Sequence, residues 1–219
     1  MSLLNNIIIN TIPVLPKKMV KIIADKYVGG NSIEDVIKKT KYINTQNYEV
    51  TIDLLGEHVD DINEINDITN IYINLLSEIN KKDLLSNISV KPTHIGLDIS
   101  IDKFQENAYK LVKKAQDLNN FIRFDMENSS TTDATIETFK EINSNYENVG
   151  TVFQAYLKRT CADLESLIHQ KINFRLCKGI YNEDVGISYK TYDEINENYL
   201  KIAELAFKNN TYIGLATHD

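Results

Sequence analysis

Between residues 50 and 219 the chain repeats one pattern six times: a short β-branched or aromatic run, a polar cluster, then an amphipathic stretch. The runs fall at 50–55, 88–91, 121–125, 149–156, 173–178 and 212–217, and the amphipathic stretches between them at 62–79, 101–118, 131–146, 161–169 and 192–207. A short run followed by apolar residues at helical spacing reads as a strand feeding a helix. In 101–118, Phe104, Ala108, Leu111, Val112 and Ala115 fall on one helical face. The runs start about 24 to 39 residues apart, which suits the strand–helix repeat of about 30 residues in a (β/α)8 barrel of ~250.

The polar clusters all sit on the C-terminal side of the runs: Gly56-Glu57-His58, Lys91-Pro92-Thr93-His94, Asp125-Met126-Glu127-Asn128, Gln154 with Lys158-Arg159, Lys178-Gly179 and Thr217-His218-Asp219. A parallel α/β fold places its chemistry at that rim, where each strand hands over to a loop. The competing architecture, a doubly wound open sheet, calls for a glycine-rich turn at its switch point, and the chain has neither GxGxxG nor GxxxxGK[ST]. The expected class is therefore α/β, a TIM-type barrel with about six βα units over 50–219. A helical arm over 1–49 is expected before it, with a helix in 31–44 capped by Ser32.

Composition narrows the function. A formal net charge of -7 argues against a general nucleic-acid binder, which needs excess Lys and Arg. Two cysteines, Cys161 and Cys177, make neither a disulfide framework nor a CxxC site, so reduced, packed thiols in a cytoplasmic protein are expected. The opening MSLLNNIIINTIPVLPKK is too short for a spanning helix and lacks a basic n-region, leaving a peripheral membrane contact open.

At the strand ends Lys91 and Arg175 are long cations on apolar runs, costly to bury without a partner. They bind an anionic ligand or form structural ion pairs with Asp125 or Glu57. By alternation Asp125 shares a face with Arg123 and not with Phe124. His58, His94 and His218 stand at three strand ends, with Asp219 as a further ligand, which opens a metal-dependent hydrolase reading; without HxH or HExxH the weaker role of hydrogen-bonding groups is preferred, and no metal is expected. The residues alone point to a basic-lined pocket on a barrel face that takes a small acid or a phosphate.

The strand-end phrases, in order, are TIDLLGEHV (51–59), SVKPTHIGLDIS (89–100), RFDMENSSTTDATI (123–136), VFQAYLKRT (152–160), RLCKGIYNED (175–184) and ATHD (216–219). Together they resemble the bacterial FAD-dependent proline dehydrogenases, and KYVGGNSIEDVI (26–37) is similar to that family's entry segment. The resemblance implies a distorted (β/α)8 barrel with FAD across the strand ends, oxidising L-proline to Δ1-pyrroline-5-carboxylate. It further implies a membrane quinone as electron acceptor and pyrroline-5-carboxylate dehydrogenase as a pathway partner.

Carried over by motif, Lys91 matches the lysine on the proline carboxylate, and Asp125 the active-site aspartate. Met126 matches a residue beside the flavin, Gln154 a glutamine at the isoalloxazine edge, and Arg175 the arginine at flavin N5. Leu176 and Tyr181 match residues lining the proline pocket; Lys178, Gly179 and Ile180 match the loop on the FAD phosphates and ribityl; Thr217 and His218 match a flavin contact. Glu57 matches a gate glutamate whose arginine partner, in the family's eighth helix, has no counterpart before Asp219. The resemblance thus leads us to expect a barrel lacking its last two units, with weakened proline binding, or one subunit of a split assembly.

Overall fold

The computed structural model describes residues 28–217. The first 27 residues, and with them much of the expected arm, lie outside the described residues, as do His218 and Asp219. The chain divides into two units at Val50. The described part of the first contains helix α1 (Ile33–Asn44), whose N-cap Ser32 accepts a hydrogen bond from the Asp35 N–H at 3.2 Å.

From Val50 strands and helices alternate: β1 (Val50–Asp53), α2 (Ile62–Lys81), β2 (Ser86–Val90), a 3-10 turn (Pro92–Ile95), α3 (Ile101–Asp117), β3 (Ile122–Phe124), α4 (Thr132–Asn143), β4 (Val149–Gln154), α5 (Thr160–Leu167), β5 (Asn173–Cys177), α6 (Tyr192–Lys208) and β6 (Tyr212–Leu215). The sheet order is β1-β2-β3-β4-β5-β6, and each pair from β2 to β6 is parallel. A parallel sheet whose order never reverses, with right-handed crossovers, carries all its helices on one face. That is the winding of a barrel; a doubly wound sheet reverses at a switch point. The six strands form a partial barrel. Among the described residues no helix is long and apolar enough to cross a membrane.

Local chemistry explains the boundaries. Ser100 and Asp61 accept N–H bonds at the starts of α3 and α2, and Thr191 with Glu194 forms a reciprocal capping box on α6. Three helices stop the same way. Asp83, Asn119 and Asn210 adopt positive φ of 50°, 50° and 53° just past α2, α3 and α6. The next N–H in each case reaches back to Ile79, Ala115 or Ala206. Asp and Asn tolerate the left-handed conformation better than other non-glycine residues, so each helix turns sharply into the next strand.

Alternation along the strands sorts the side chains into two sets. Ile88, Val90, Ile122, Phe124, Phe153, Phe174 and Leu176 are fully buried or nearly so toward the helices. Phe124 meets Phe104 of α3 edge-on at 5.8 Å, and Phe153 meets Phe174 at 5.3 Å. The other set faces the barrel interior: Ser89 lies level with Arg123 and Gly150, and Val152 with Arg175 and Gly214. Gly150 makes room for the buried Arg123: a Cβ there would meet the Phe121 ring at 2.7 Å and the Arg123 guanidinium at 3.1 Å.

Candidate functional site at the carboxyl ends of the strands

The interior set ends in a cavity of about 380 Å3 at the strand carboxyl ends. Lys91, Asp125, Met126 and Gln154 line it from β2, β3 and β4. Arg175 and the loop Lys178–Tyr181 close it from β5, and Thr217 from beyond β6. Ten of the residues singled out in the sequence thus border one space.

Two ion pairs organise its floor. Arg175 Nη2 lies 2.7 Å from Asp125 Oδ1, spanning β4. Asp125 also accepts from the Ser89 hydroxyl. Lys91 pairs with Asp53 at the end of β1, whose other oxygen takes the Tyr72 hydroxyl at 3.3 Å. Burial works against the Lys91 ammonium, but the bond to Asp53 and the charges of Asp53, Asp125 and Glu127 outweigh it and hold Lys91 above its ordinary value. One layer below, Arg123 stacks over Phe121 at 5.1 Å and donates to the Thr151 carbonyl and Asn173 Oδ1. Burial, helped by the neighbouring Arg175, lowers it to about 10. Alternating cations and carboxylates around one cavity suit a small ligand that carries both signs of charge.

Gln154 is fixed by its amide nitrogen, which donates to the Met126 carbonyl and, at 3.1 Å, to the Glu127 carbonyl. Its Oε1 is buried with no protein partner, in a residue that borders the cavity. Gly179 has φ +103°, and a Cβ there would meet the Tyr156 ring at 2.0 Å. This position therefore admits only glycine. Lys178 lies over the Tyr192 ring at 4.5 Å. Tyr181 donates to Glu57 Oε2 at 3.0 Å, and burial, then Glu57, pushes its hydroxyl pKa up. Ile180 is 89% exposed at the rim.

Leu176 stands apart from the other candidates. It stands between Arg175 and Cys177, which both line the cavity, so alternation turns its side chain to the opposite face, where it is fully buried and absent from the cavity wall. Lys91 pairs with Asp53 and with neither Asp125 nor Glu57. The histidines serve separately: His58 Nδ1 lies 2.9 Å from Asp98, and the buried His94 packs against Gly56. Among the described residues no three His, Cys, Asp or Glu side chains are grouped to hold a metal.

Sequence reasoning gave no site role to Asp53, Ser89, Glu127 or Cys177, although Glu127 stood in a rim cluster. Asp53 and Ser89 carried a usable signal, each being a polar residue on an interior-facing strand position. Burial raises the Cys177 thiol to about 11, so it stays protonated. Glu127 is fully buried and accepts from the Thr93 N–H at 2.8 Å and hydroxyl at 2.5 Å.

Comparison with known proteins bears on the chain as a whole. The proline dehydrogenase family model matches residues 36–219. Proline dehydrogenase 2 of Bacillus subtilis subsp. natto is 35% identical over 199 residues, covering 91% of this chain and 66% of that protein. A proline dehydrogenase of Deinococcus radiodurans is 29% identical over 202 residues, covering 90% and 65%. The chain thus spans just under two thirds of the length of these relatives. Among solved structures, proline utilization A from Bdellovibrio bacteriovorus superimposes with a TM-score of 0.81 at 25% identity, covering 91% of this chain and 26% of that one. With a family model matched over most of its length and its phrases standing at one rim, the chain belongs to the proline dehydrogenase family.

Proposed function

We propose that this chain binds FAD and L-proline at the strand-end cavity and oxidises proline to Δ1-pyrroline-5-carboxylate. The observation that carries the reading is the pairing of Lys91–Asp53 and Arg175–Asp125 around one cavity, beside the unpartnered Gln154 Oε1. An amino acid presents a carboxylate and an amine, which the two signs of charge receive. The buried Gln154 acceptor fits an N–H at the edge of a planar heterocycle, so the residues present fit a flavin.

When bound, the flavin supplies a two-electron acceptor for a hydride. The chain's own residues bind and orient. Lys91 holds the proline carboxylate, exchanging part of its bond to Asp53 for the ligand. Arg175 would supply a fixed positive charge to a flavin held in this cavity, and Asp125, itself held by Ser89, keeps that guanidinium aimed. Met126, Gln154, Lys178, Gly179, Ile180 and Thr217 hold the cofactor, and Tyr181 with Glu57 covers the proline side of the mouth. His218 joins the cofactor contacts on the resemblance alone. A membrane quinone as acceptor and pyrroline-5-carboxylate dehydrogenase as the next enzyme rest on the resemblance too. The exposed Val185 and Ile187 on the β5–α6 loop suit a peripheral membrane contact by a cytoplasmic protein.

The visible spectrum of the purified chain with added FAD tests this, recorded anaerobically before and after L-proline. Bound yellow flavin that proline bleaches is the expected result. Flavin that dithionite bleaches but proline does not would overturn the proline reading, and a chain that takes up no FAD would overturn the cofactor reading.

A further inference from the structure

Four consecutive strand ends are joined by one run of hydrogen bonds. After β4, the Gln154 amide holds the Met126 and Glu127 carbonyls, which fixes the backbone that carries Glu127. The Glu127 carboxylate turns back toward β2 and takes both the N–H and the hydroxyl proton of Thr93. A carboxylate only accepts, so the Thr93 hydroxyl must donate to it and keeps only lone pairs for any other neighbour. That neighbour is the His58 N–H, 2.9 Å from Thr93 Oγ1, and the Val59 N–H adds a bond to the Thr93 carbonyl at 3.3 Å.

The loop held this way has little local reason to keep its shape. Gly56 and His58 flank Glu57 with φ of 149° and 58°. A histidine in the left-handed region costs free energy and persists where tertiary bonds over-determine it. Between these two residues, Glu57 reaches Tyr181 at 3.0 Å across the mouth of the cavity.

We infer that Glu127 is a positioning residue for Glu57: acting through Thr93, it holds residues 56–59 in the conformation that sets Glu57 against Tyr181. The anchoring stands on the contacts themselves; only its consequence for proline rests on the function proposed above.

Amide hydrogen exchange on the whole chain, without flavin or proline, separates the two. Thr93→Val keeps shape and removes the hydroxyl, Thr93→Ser restores it, and Glu127→Ala removes the carboxylate. Exchange at His58 should rise about tenfold in T93V and E127A, the worth of one part-buried hydrogen bond, and return to normal in T93S, with β2–β5 amides unchanged. His58 exchange unchanged in T93V, or a loss spread evenly over β2–β5, would overturn the inference. In the proline assay the KM should rise more in T93V than kcat falls. A chain with no proline turnover refutes the proposed function and leaves the exchange result to decide the anchoring.

Discussion

Arg175 and Asp125 meet across β4, Nη2 to Oδ1 at 2.7 Å, although they belong to strands that do not pair with each other. The contact is possible because Val152, level with Arg175 between them, is short enough to be bridged. Asp125 thus pairs directly with the half-buried Arg175, while the buried Arg123 one layer below feels the charges of both.

Asp125→Ala should therefore destabilise the fold by about 1–3 kcal/mol, the cost of leaving a charged, hydrogen-bonded group without its partner. Asp125→Asn should lose less, since its Oδ1 still accepts from Arg175. Urea unfolding of the three proteins checks the order; equal midpoints for D125A and the parent would refute it.

Leu176→Ala separates packing from pocket. A fully buried leucine on the helix side should cost about 2–5 kcal/mol on truncation. Proline affinity at a temperature where the variant stays folded should change little. A large loss of affinity with unchanged stability would return Leu176 to the cavity wall.

At Gly179 any side chain meets the Tyr156 ring, and φ +103° is closed to other residues. Gly179→Ala should strain the 178–181 loop by about 1–3 kcal/mol. Calorimetry should show a lower Tm, and protease cleavage within the loop should speed up. A Tm equal to the parent's would mean the loop relaxes freely.

His58 and His94 should be displaced in opposite directions from the ordinary imidazole value. The bond to Asp98 raises His58 above its ordinary 6.5, whereas burial, then the charge of Lys91, lowers His94 below it. For His58 the folded value exceeds the unfolded one, so its stabilisation is complete below 6.5 and is lost as pH rises through the folded value. For His94 the unfolded chain takes the proton first, so stability falls as pH drops through 6.5. NMR titration of the two ring signals measures both, and Asp98→Asn should bring His58 back toward 6.5. Coincident titrations would contradict the geometry.

By itself the sequence determined the alternation of elements and the rim that carries the chemistry, because strand period, helix period and polar residues after each strand are local properties. It placed Lys91, Asp125, Gln154 and Arg175 at strand ends, and the structure gathers them around one cavity. It also placed Asp125 opposite to Phe124, as alternation requires. What tertiary structure alone decided is who meets whom. Lys91 takes Asp53 from 38 positions away, Glu127 takes Thr93 from 34, and Tyr181 takes Glu57 from 124. Such pairings depend on sheet order and register, which no short stretch of sequence encodes. Leu176 is different: alternation with Arg175 already set it on the opposite face, and that local signal ran against its resemblance to a pocket residue. The left-handed turn at His58 belongs with the long-range pairings, since it persists through bonds formed only when four strand ends come together.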